Sequence, residues 1–147
     1  MLYTNLTKKA MQICFEKHRN QLDKSGIPYP FHPFHVAESM TDEETTITAL
    51  LHDVVEDTDT TFEELAEYGF PNAVIEALRL LTHDDCVSYS AYIQEIKQNP
   101  IARAVKIADL QHNSDLSRLD TITQKDLESL PIPGEGEGFS MRLHPAY

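Results

Sequence analysis

Apolar residues recur at helical spacing through most of residues 1–130, and this periodicity limits the fold more than any other feature. Leu6, Ala10 and Cys14 lie on one stripe of a first predicted helix over residues 5–22. Alternating β-branched runs between turn pairs, which are typical of strands, are nearly absent. The sequence therefore predicts an all-α fold.

Capping residues divide the periodic segments into further helices. Thr41 and Thr61 each stand three residues before a glutamate, which is the pattern of a capping box. Asn99 before Pro100 gives an N-cap followed by proline at the first helical position. We predict the remaining helices over residues 34–39, 41–55, 61–68, 71–81, 88–97, 99–116 and 124–130.

Length and charge exclude several classes of protein. A chain of 147 residues is expected to form one domain with its own core. With 24 Asp and Glu against 12 Lys and Arg, the net charge of −12 argues against a nucleic-acid partner. No apolar run reaches the roughly 20 residues that span a bilayer, and the first residues lack a signal peptide, so we expect no membrane partner and a cytoplasmic location. The sequence leaves homo-oligomerisation open.

The amino-acid composition of the chain changes at Pro131, where a segment rich in Pro and Gly begins. We therefore predict one helical domain over residues 1–130 and an irregular tail over residues 131–147. Composition and terminal position favour a mobile tail. The alternative is that Arg142, His144 or Tyr147 folds back over a site.

The segment 50–58 interrupts an apolar helix with four polar residues: His52, Asp53, Glu56 and Asp57. At about 100° per residue these side chains share one arc of a continuous helix. Three adjacent carboxylates repel one another and lose solvation in an apolar setting, so a cation is expected to neutralise them. A helix end facing water is the alternative, but the surrounding Ile, Leu and Val residues leave little of this helix for a solvated face.

Two other segments supply candidate partners for this cluster. His32 is one of them, although a single histidine near a helix start is more often structural. On the predicted helix 99–116, Lys106 and Asn113 flank Asp109 on one side, which is also the pattern of a simple helical ion pair. Two imidazoles and two carboxylates suit Mn²⁺, Fe²⁺ or Zn²⁺ better than Ca²⁺. His35 either packs beside His32 and supports its position or forms a hydrogen bond to a backbone carbonyl, and we prefer the hydrogen bond to a carbonyl.

Residues 82–86 carry further ligand types, but consecutive His and Asp residues in a loop more often cap neighbouring helices. We therefore expect these residues to cap the neighbouring helices rather than to bind a metal. Residues 57–61 resemble the start of a calcium loop, yet Phe62 stands where such a loop needs glycine. That interpretation is rejected.

Three motifs together resemble the HD-domain metal-dependent phosphohydrolases, and among them the hydrolase domain of RelA/SpoT proteins and the small alarmone hydrolases. The motifs are His-Pro-x-x-Val-Ala at 32–37, Ala-Leu-Leu-His-Asp-Val-Val-Glu-Asp-Thr at 49–58, and Val-Lys-Ile-Ala-Asp at 105–109 with Asn113. The resemblance implies a compact HD-type helical bundle. It also implies that His32, His52, Asp53 and Asp109 bind one metal, typically Mn²⁺.

The resemblance further implies that Glu56 and Asp57 handle the attacking water and the proton, and that Asn113 lies in a nucleotide pocket. The family reaction removes the 3′-pyrophosphate of (p)ppGpp. Where the family usually carries Arg-Lys before the first ligand and Arg after the Asn, this chain has Asp23-Lys24 and Asp115. Each Asp reverses a phosphate-binding charge.

The remaining candidates for binding a phosphorylated substrate are basic side chains, namely Lys24, Arg19 and Lys106. The sequence thus favours a ppGpp hydrolase and keeps two alternatives. One is an HD phosphohydrolase acting on another nucleotide phosphoester. The other is a catalytically weak domain that senses a nucleotide or a partner.

Overall fold

The computed structural model describes residues 1–115 and Glu128. Residues 1–115 fold into eight α-helices and no extended strand, so the all-α prediction is confirmed for this part of the chain. The helices are α1 (Asn5–His18), α2 (Phe31–Glu38), α3 (Glu43–Leu51), α4 (Val54–Asp57), α5 (Phe62–Glu67), α6 (Asn72–Leu81), α7 (Tyr89–Gln98) and α8 (Pro100–Asn113). Apart from Glu128, the predicted helix 124–130 lies outside the described residues, as does the predicted tail 131–147.

Helix α3 lies at the centre of the fold and packs against α1, α2, α6 and α8. Its residues Ile47, Leu50 and Leu51 are fully buried, as expected for a helix that is apolar on most of its surface. The surrounding helices contribute one apolar face each, including Val36 from α2 and Val105 from α8. The amino end of α2 and the carboxyl-terminal half of α8 lie near the carboxyl end of α3.

Most of the predicted helix starts are confirmed, and two are wrong. Helix α2 begins at Phe31 instead of residue 34, because Pro33 is tolerated in the first turn of a helix, where its missing N–H costs no helical hydrogen bond. Thr61 forms the predicted capping box with Glu64, and the Asn99 side chain accepts a hydrogen bond from the backbone N–H of Ala102. At the start of α3 the N-cap is Asp42, whose carboxylate accepts from the N–H of Thr45 at 2.9 Å. A carboxylate one residue later outcompetes the Thr41 hydroxyl, because both would cap the same first turn.

The predicted continuous helix 41–55 is also wrong, because it breaks after Leu51. His52 is the C-cap of α3, and Asp53 precedes the short helix α4 with φ −104° and ψ −2°. The inference that His52, Asp53, Glu56 and Asp57 share one arc of a straight helix therefore fails. The break instead places His52 and Asp53 at the carboxyl end of the central helix, and it places Glu56 and Asp57 on a separate turn.

Helix α1 ends four residues before the predicted boundary, at His18. The following loop is organised by Asp23, which is 7% exposed and accepts from the N–H groups of Ser25 and Ile27 at 2.7 and 3.0 Å. Gly26 adopts φ +78° in this loop, a conformation that favours glycine. The loop leads directly into α2 and its His32. In the described residues, no helix has the length and apolar character needed to cross a membrane.

Candidate metal centre

His32 is the second residue of α2 and is 2% exposed. Its Nε2 lies 3.0 Å from Oδ1 of Asp109 on α8 and 3.8 Å from Oδ2 of Asp53. Pro33 follows it at a position early in the helix, where the absence of an N–H costs no helical hydrogen bond. Helix α2 therefore presents a buried imidazole to carboxylates from two other segments.

His52 brings a second imidazole to the same place. Its Nδ1 lies 2.6 Å from the carbonyl oxygen of Ala49, which accepts the Nδ1 proton and leaves Nε2 facing the carboxylates. Nε2 lies 3.0 Å from Asp53 Oδ2 and 3.6 Å from Asp109 Oδ1, yet it finds no hydrogen-bond partner. A buried nitrogen lone pair beside two carboxylates is unfavourable unless a positive charge lies between them. This arrangement fits a cation.

The pKa shifts within the cluster also indicate a site for a cation. Burial lowers the pKa of His52, but the neighbouring Asp53 and Asp109 carboxylates outweigh it and raise that pKa well above its ordinary value. Burial also raises the pKa of Asp53, whereas His52 lowers it, and the result is a pKa of about 2. For Asp109, Lys106 and the two histidines outweigh burial and hold the pKa well below its ordinary value. The cluster therefore keeps its carboxylates ionised and attracts positive charge.

One ligand atom each from His32, His52 and Asp109 lie within 4.8 Å of one another, so the three could contact one ion. The Asp53 carboxylate adjoins both imidazoles, as the distances above show, and its side chain is 16% exposed. The structure therefore brings together all four residues that the sequence analysis selected as metal ligands. Two nitrogen and two oxygen donors form a donor set that suits a divalent transition metal.

Glu56 and Asp57 lie on α4 at the exposed rim of this cluster. Desolvation, Asp53 and Asp57 raise the pKa of Glu56 to about 7. Desolvation and Asp53 raise the pKa of Asp57 to about 6. Carboxylates with pKa values this close to neutrality are able to accept and release a proton near physiological pH.

The basic and amide candidates divide into two groups. Lys106 Nζ lies 3.0 Å from Asp109 Oδ2, and Asn113 Nδ2 donates to Asp109 Oδ1 at 3.0 Å, so both contact the cluster. The buried Oδ1 of Asn113 has no hydrogen-bond partner within the described chain. Arg19 and Lys24 are exposed, Arg19 at the C-cap of α1 and Lys24 in the loop before α2. Two of these four residues, Lys106 and Asn113, therefore contact the cluster in the structure.

Tyr29 is a site residue that the sequence reasoning missed. It is 2% exposed, its hydroxyl donates to Asp53 Oδ2, and its proximity lowers the pKa of the Asp57 carboxyl. The ring packs against His18, with centroids 4.9 Å apart. A tyrosine three residues before a candidate ligand was the available signal, but nothing in the sequence showed that its hydroxyl reaches Asp53.

His112 is the second residue that was missed. Its Nδ1 lies 2.6 Å from Nδ1 of His32, and its ring stacks on His35. The predicted bond from His35 to a backbone carbonyl is not among the hydrogen bonds of the described residues. His35 instead packs on His112 and lies 3.7 Å from Glu38. In the loop 82–86, Asp84 accepts from the N–H of Cys86 at 2.9 Å within the loop itself. The neighbouring helices are capped by Thr82 and Ser88, so the expected helix caps from His and Asp are not found there.

The family follows from a sequence match that includes three of the four cluster residues. Residues 10–83 match the family described as HD domain, and they contain His32, His52 and Asp53. The chain belongs to the HD-domain family. Within this family, its curated relatives include hydrolases of a guanosine alarmone.

A zebrafish (Danio rerio) protein named guanosine-3′,5′-bis(diphosphate) 3′-pyrophosphohydrolase MESH1 is 39% identical over 129 residues, covering 78% of this chain and 71% of that protein. An Aquifex aeolicus protein with the same enzyme name is 48% identical over 64 residues, which are 41% of this chain. A solved structure described as a metazoan ortholog of SpoT that hydrolyzes ppGpp has a TM-score of 0.66 and 29% identity. It covers 86% of this chain, and this chain covers 79% of it.

The bacterial relatives are much longer than this chain. The match spans 9% of the Aquifex protein and 17% of a Myxococcus xanthus GTP pyrophosphokinase. In those proteins the similarity therefore concerns one part of a larger chain, whereas the zebrafish protein is matched over most of its length. The structural likeness confirms the predicted HD-type helical fold.

Proposed function

We propose that this protein is a metal-dependent phosphohydrolase that removes the 3′-pyrophosphate of (p)ppGpp. The observation that carries the proposal is the buried group of His32, His52 and Asp109, whose ligand atoms lie within 4.8 Å of one another. The zebrafish relative supports the choice of substrate, because its printed activity is this reaction and its sequence matches over 71% of its length.

In this proposal His32, His52, Asp53 and Asp109 hold one divalent cation, which we assign as Mn²⁺ with Fe²⁺ and Zn²⁺ as alternatives. The mixed nitrogen and oxygen donors support this assignment. When bound, such a cation polarises a phosphoryl oxygen and lowers the pKa of a coordinated water. A local positive charge is needed here, because a protein of net charge −12 otherwise repels a polyphosphate.

Glu56 and Asp57 move the proton in this scheme. One of the two carboxylates accepts a proton from the attacking water, and the other, in its protonated form, gives a proton to the 3′ oxygen of the nucleotide as the bond from that oxygen to phosphorus breaks. Their exposed position on α4 then lets both groups exchange protons with solvent. Their pKa values, raised to about 7 and about 6, lie close to neutral pH, so each carboxyl group can both bind and release a proton there. The hydroxyl of Tyr29 donates to Asp53 and lowers the pKa of the neighbouring Asp57 carboxyl.

We assign substrate contacts to Asn113, Lys106, Lys24 and Arg19. Asn113 offers a buried amide oxygen that lacks a partner in the described chain, and it lies beside Asp109. Lys106 contributes charge next to Glu56, whose pKa it lowers in part. The exposed Lys24 and Arg19 supply charge from the loop before α2. A cytoplasmic location is part of the same proposal, because nucleotides and divalent cations are both available there.

A second candidate is an HD phosphohydrolase that acts on another nucleotide phosphoester. Asp23 and Asp115 favour it, since related hydrolases usually carry arginine at these positions and carboxylates do not bind phosphate. The Asp23 carboxylate is engaged by backbone N–H groups of its own loop, which weakens its repulsion of a phosphate but supplies no attraction.

The test is a hydrolysis assay with purified protein, Mn²⁺ and ppGpp, in which pyrophosphate and GDP are separated by anion exchange. We expect equimolar products, and we expect Asp53→Ala to abolish them. Asp59→Ala is the matched control, because it removes the same group from a side chain that is 92% exposed and whose ion pair within the described part of the chain is with Lys17 at 3.3 Å. A parallel panel of nucleotide phosphomonoesters and phosphodiesters tests the second candidate.

Turnover of a panel compound without turnover of ppGpp would replace the first proposal with the second. Failure to hydrolyse any of these compounds while Mn²⁺ is bound would contradict both and would leave a sensing domain.

A further inference from the structure

The two ring nitrogens of His32 face different partners. Nε2 faces the carboxylate cluster, 3.0 Å from Asp109 Oδ1. Nδ1 faces the opposite way and lies 2.6 Å from Nδ1 of His112. His112 follows Asp109 by three residues on α8, so a single turn of this helix contacts both edges of the His32 ring.

Two imidazole nitrogens at this distance share one proton, since one must donate and the other must accept. A histidine that binds a cation through Nε2 uses the Nε2 lone pair, so its remaining proton lies on Nδ1. His32 then donates from Nδ1, and His112 accepts at Nδ1 and carries its own proton on Nε2. The contact is therefore compatible with one tautomer of each ring when the cation is bound.

Two different contacts hold the His112 ring: it meets the His32 ring edge to edge through the two Nδ1 atoms, and it stacks on the His35 ring. The His112 centroid is 4.9 Å from that of His32, with planes 15° apart, and 4.1 Å from that of His35, with planes 29° apart. His35 lies on the outer side of the stack, where its side chain is 59% exposed. Stacking on His35 thus helps to keep the accepting nitrogen of His112 in front of His32.

We propose that His112 is a positioning residue for the metal centre: it accepts the Nδ1 proton of His32 and thereby fixes the tautomer and the ring orientation that bind the cation through Nε2. This inference rests on the proposed metal-binding function. Partners of this kind, on the far nitrogen of a ligand histidine, change metal affinity by about 10–100-fold when they are removed.

The experiment compares Mn²⁺ affinity by calorimetry in the full chain and three variants. His112→Phe keeps a flat ring in the stack but removes the acceptor, and we expect about 10–100-fold weaker binding. His112→Asn places its side-chain oxygen close to the position of Nδ1, and we expect it to retain most of the affinity. His35→Phe preserves the outer stacking partner, and we expect no change. Circular dichroism verifies that each variant is folded.

A second measurement does not depend on any variant. In the unaltered protein loaded with diamagnetic Zn²⁺, ¹⁵N NMR of the imidazoles should show His32 protonated at Nδ1 and His112 unprotonated at Nδ1. The opposite proton positions would overturn the inference, as would wild-type affinity in His112→Phe. Absence of metal binding by the unaltered protein would overturn both this inference and the proposed function, whereas equal binding by His112→Phe would overturn the inference alone.

Discussion

Replacing Lys106 by methionine should destabilise the metal-free protein much more than the metal-loaded one. The Nζ of Lys106 lies 3.0 Å from Asp109 Oδ2, with side-chain exposures of 15% and 8%. Removing one partner of a buried ion pair leaves an uncompensated charge and costs about 3–5 kcal/mol. With an unfolding entropy of about 0.3 kcal/mol/K for 147 residues, that loss lowers Tm by about 10–16 °C.

The dependence on pH and on metal distinguishes this cause from lost packing. The depressed pKa of Asp109 stabilises the fold above the unfolded pKa of about 3.9, and this contribution disappears as pH falls through the folded value. The deficit of Lys106→Met should therefore be largest near neutral pH and should narrow in acid. A bound divalent cation replaces the missing positive charge, so saturating Mn²⁺ should also reduce the stability deficit of Lys106→Met.

The assay is thermal unfolding at pH 7.5 in EDTA and in excess Mn²⁺, repeated in EDTA near pH 3, below the unfolded pKa of Asp109. Lys8→Met is the control, because it removes the same charge from an exposed position on α1 and should change stability little. A deficit that is the same with and without metal would refute the electrostatic reasoning and would indicate lost packing against the Tyr92 ring, which Lys106 overlies at 5.6 Å. A deficit below about 1 kcal/mol in EDTA would refute it as well.

Three further predictions concern proton transfer and the cation. Tyr29→Phe removes a hydroxyl that lowers the pKa of Asp57, so the acidic limb of the rate profile should move upward from about pH 6. Glu56→Gln removes a carboxyl whose pKa rises from 4.5 to about 7 on folding, and charging such a group destabilises the fold as pH rises through that window. In EDTA this variant should therefore be more stable than the unaltered protein at pH 8 but not at pH 4, while turnover falls. Mn²⁺ at 100 times its Kd should add about 2.7 kcal/mol to stability, and EDTA should remove this gain.

Each of these three predictions can be contradicted by one measurement. For Tyr29→Phe, an unchanged rate profile would show that its hydroxyl does not tune Asp57. For Glu56→Gln, urea unfolding that gives the same stability difference at both pH values would show that its carboxyl titrates normally. For the cation, an Asp53→Ala variant that gains as much stability from Mn²⁺ as the unaltered protein would place the metal elsewhere.

Local signals predicted the helices but not how they end. The Thr61 and Asn99 caps are correct because a cap depends on side chains and N–H groups within one turn. The break at His52 was missed, because residues 50–55 are apolar enough to continue a helix. The bond from His52 to the Ala49 carbonyl and the packing of α4 against α1 belong to the folded molecule.

The sequence alone determined which chemical groups are available: imidazoles at 32 and 52, carboxylates at 53 and 109, and the helices that carry them. Only the tertiary structure decided that these groups meet, since residues 32 and 109 are 77 positions apart and their Nε2 and Oδ1 atoms lie 3.0 Å apart. It also decided that Tyr29 and His112 contact the cluster, because such contacts require long-range packing of α2 and α8 against α3. Periodicity and capping act within a few turns, whereas the geometry of a site is set by the burial of helices that are distant along the chain.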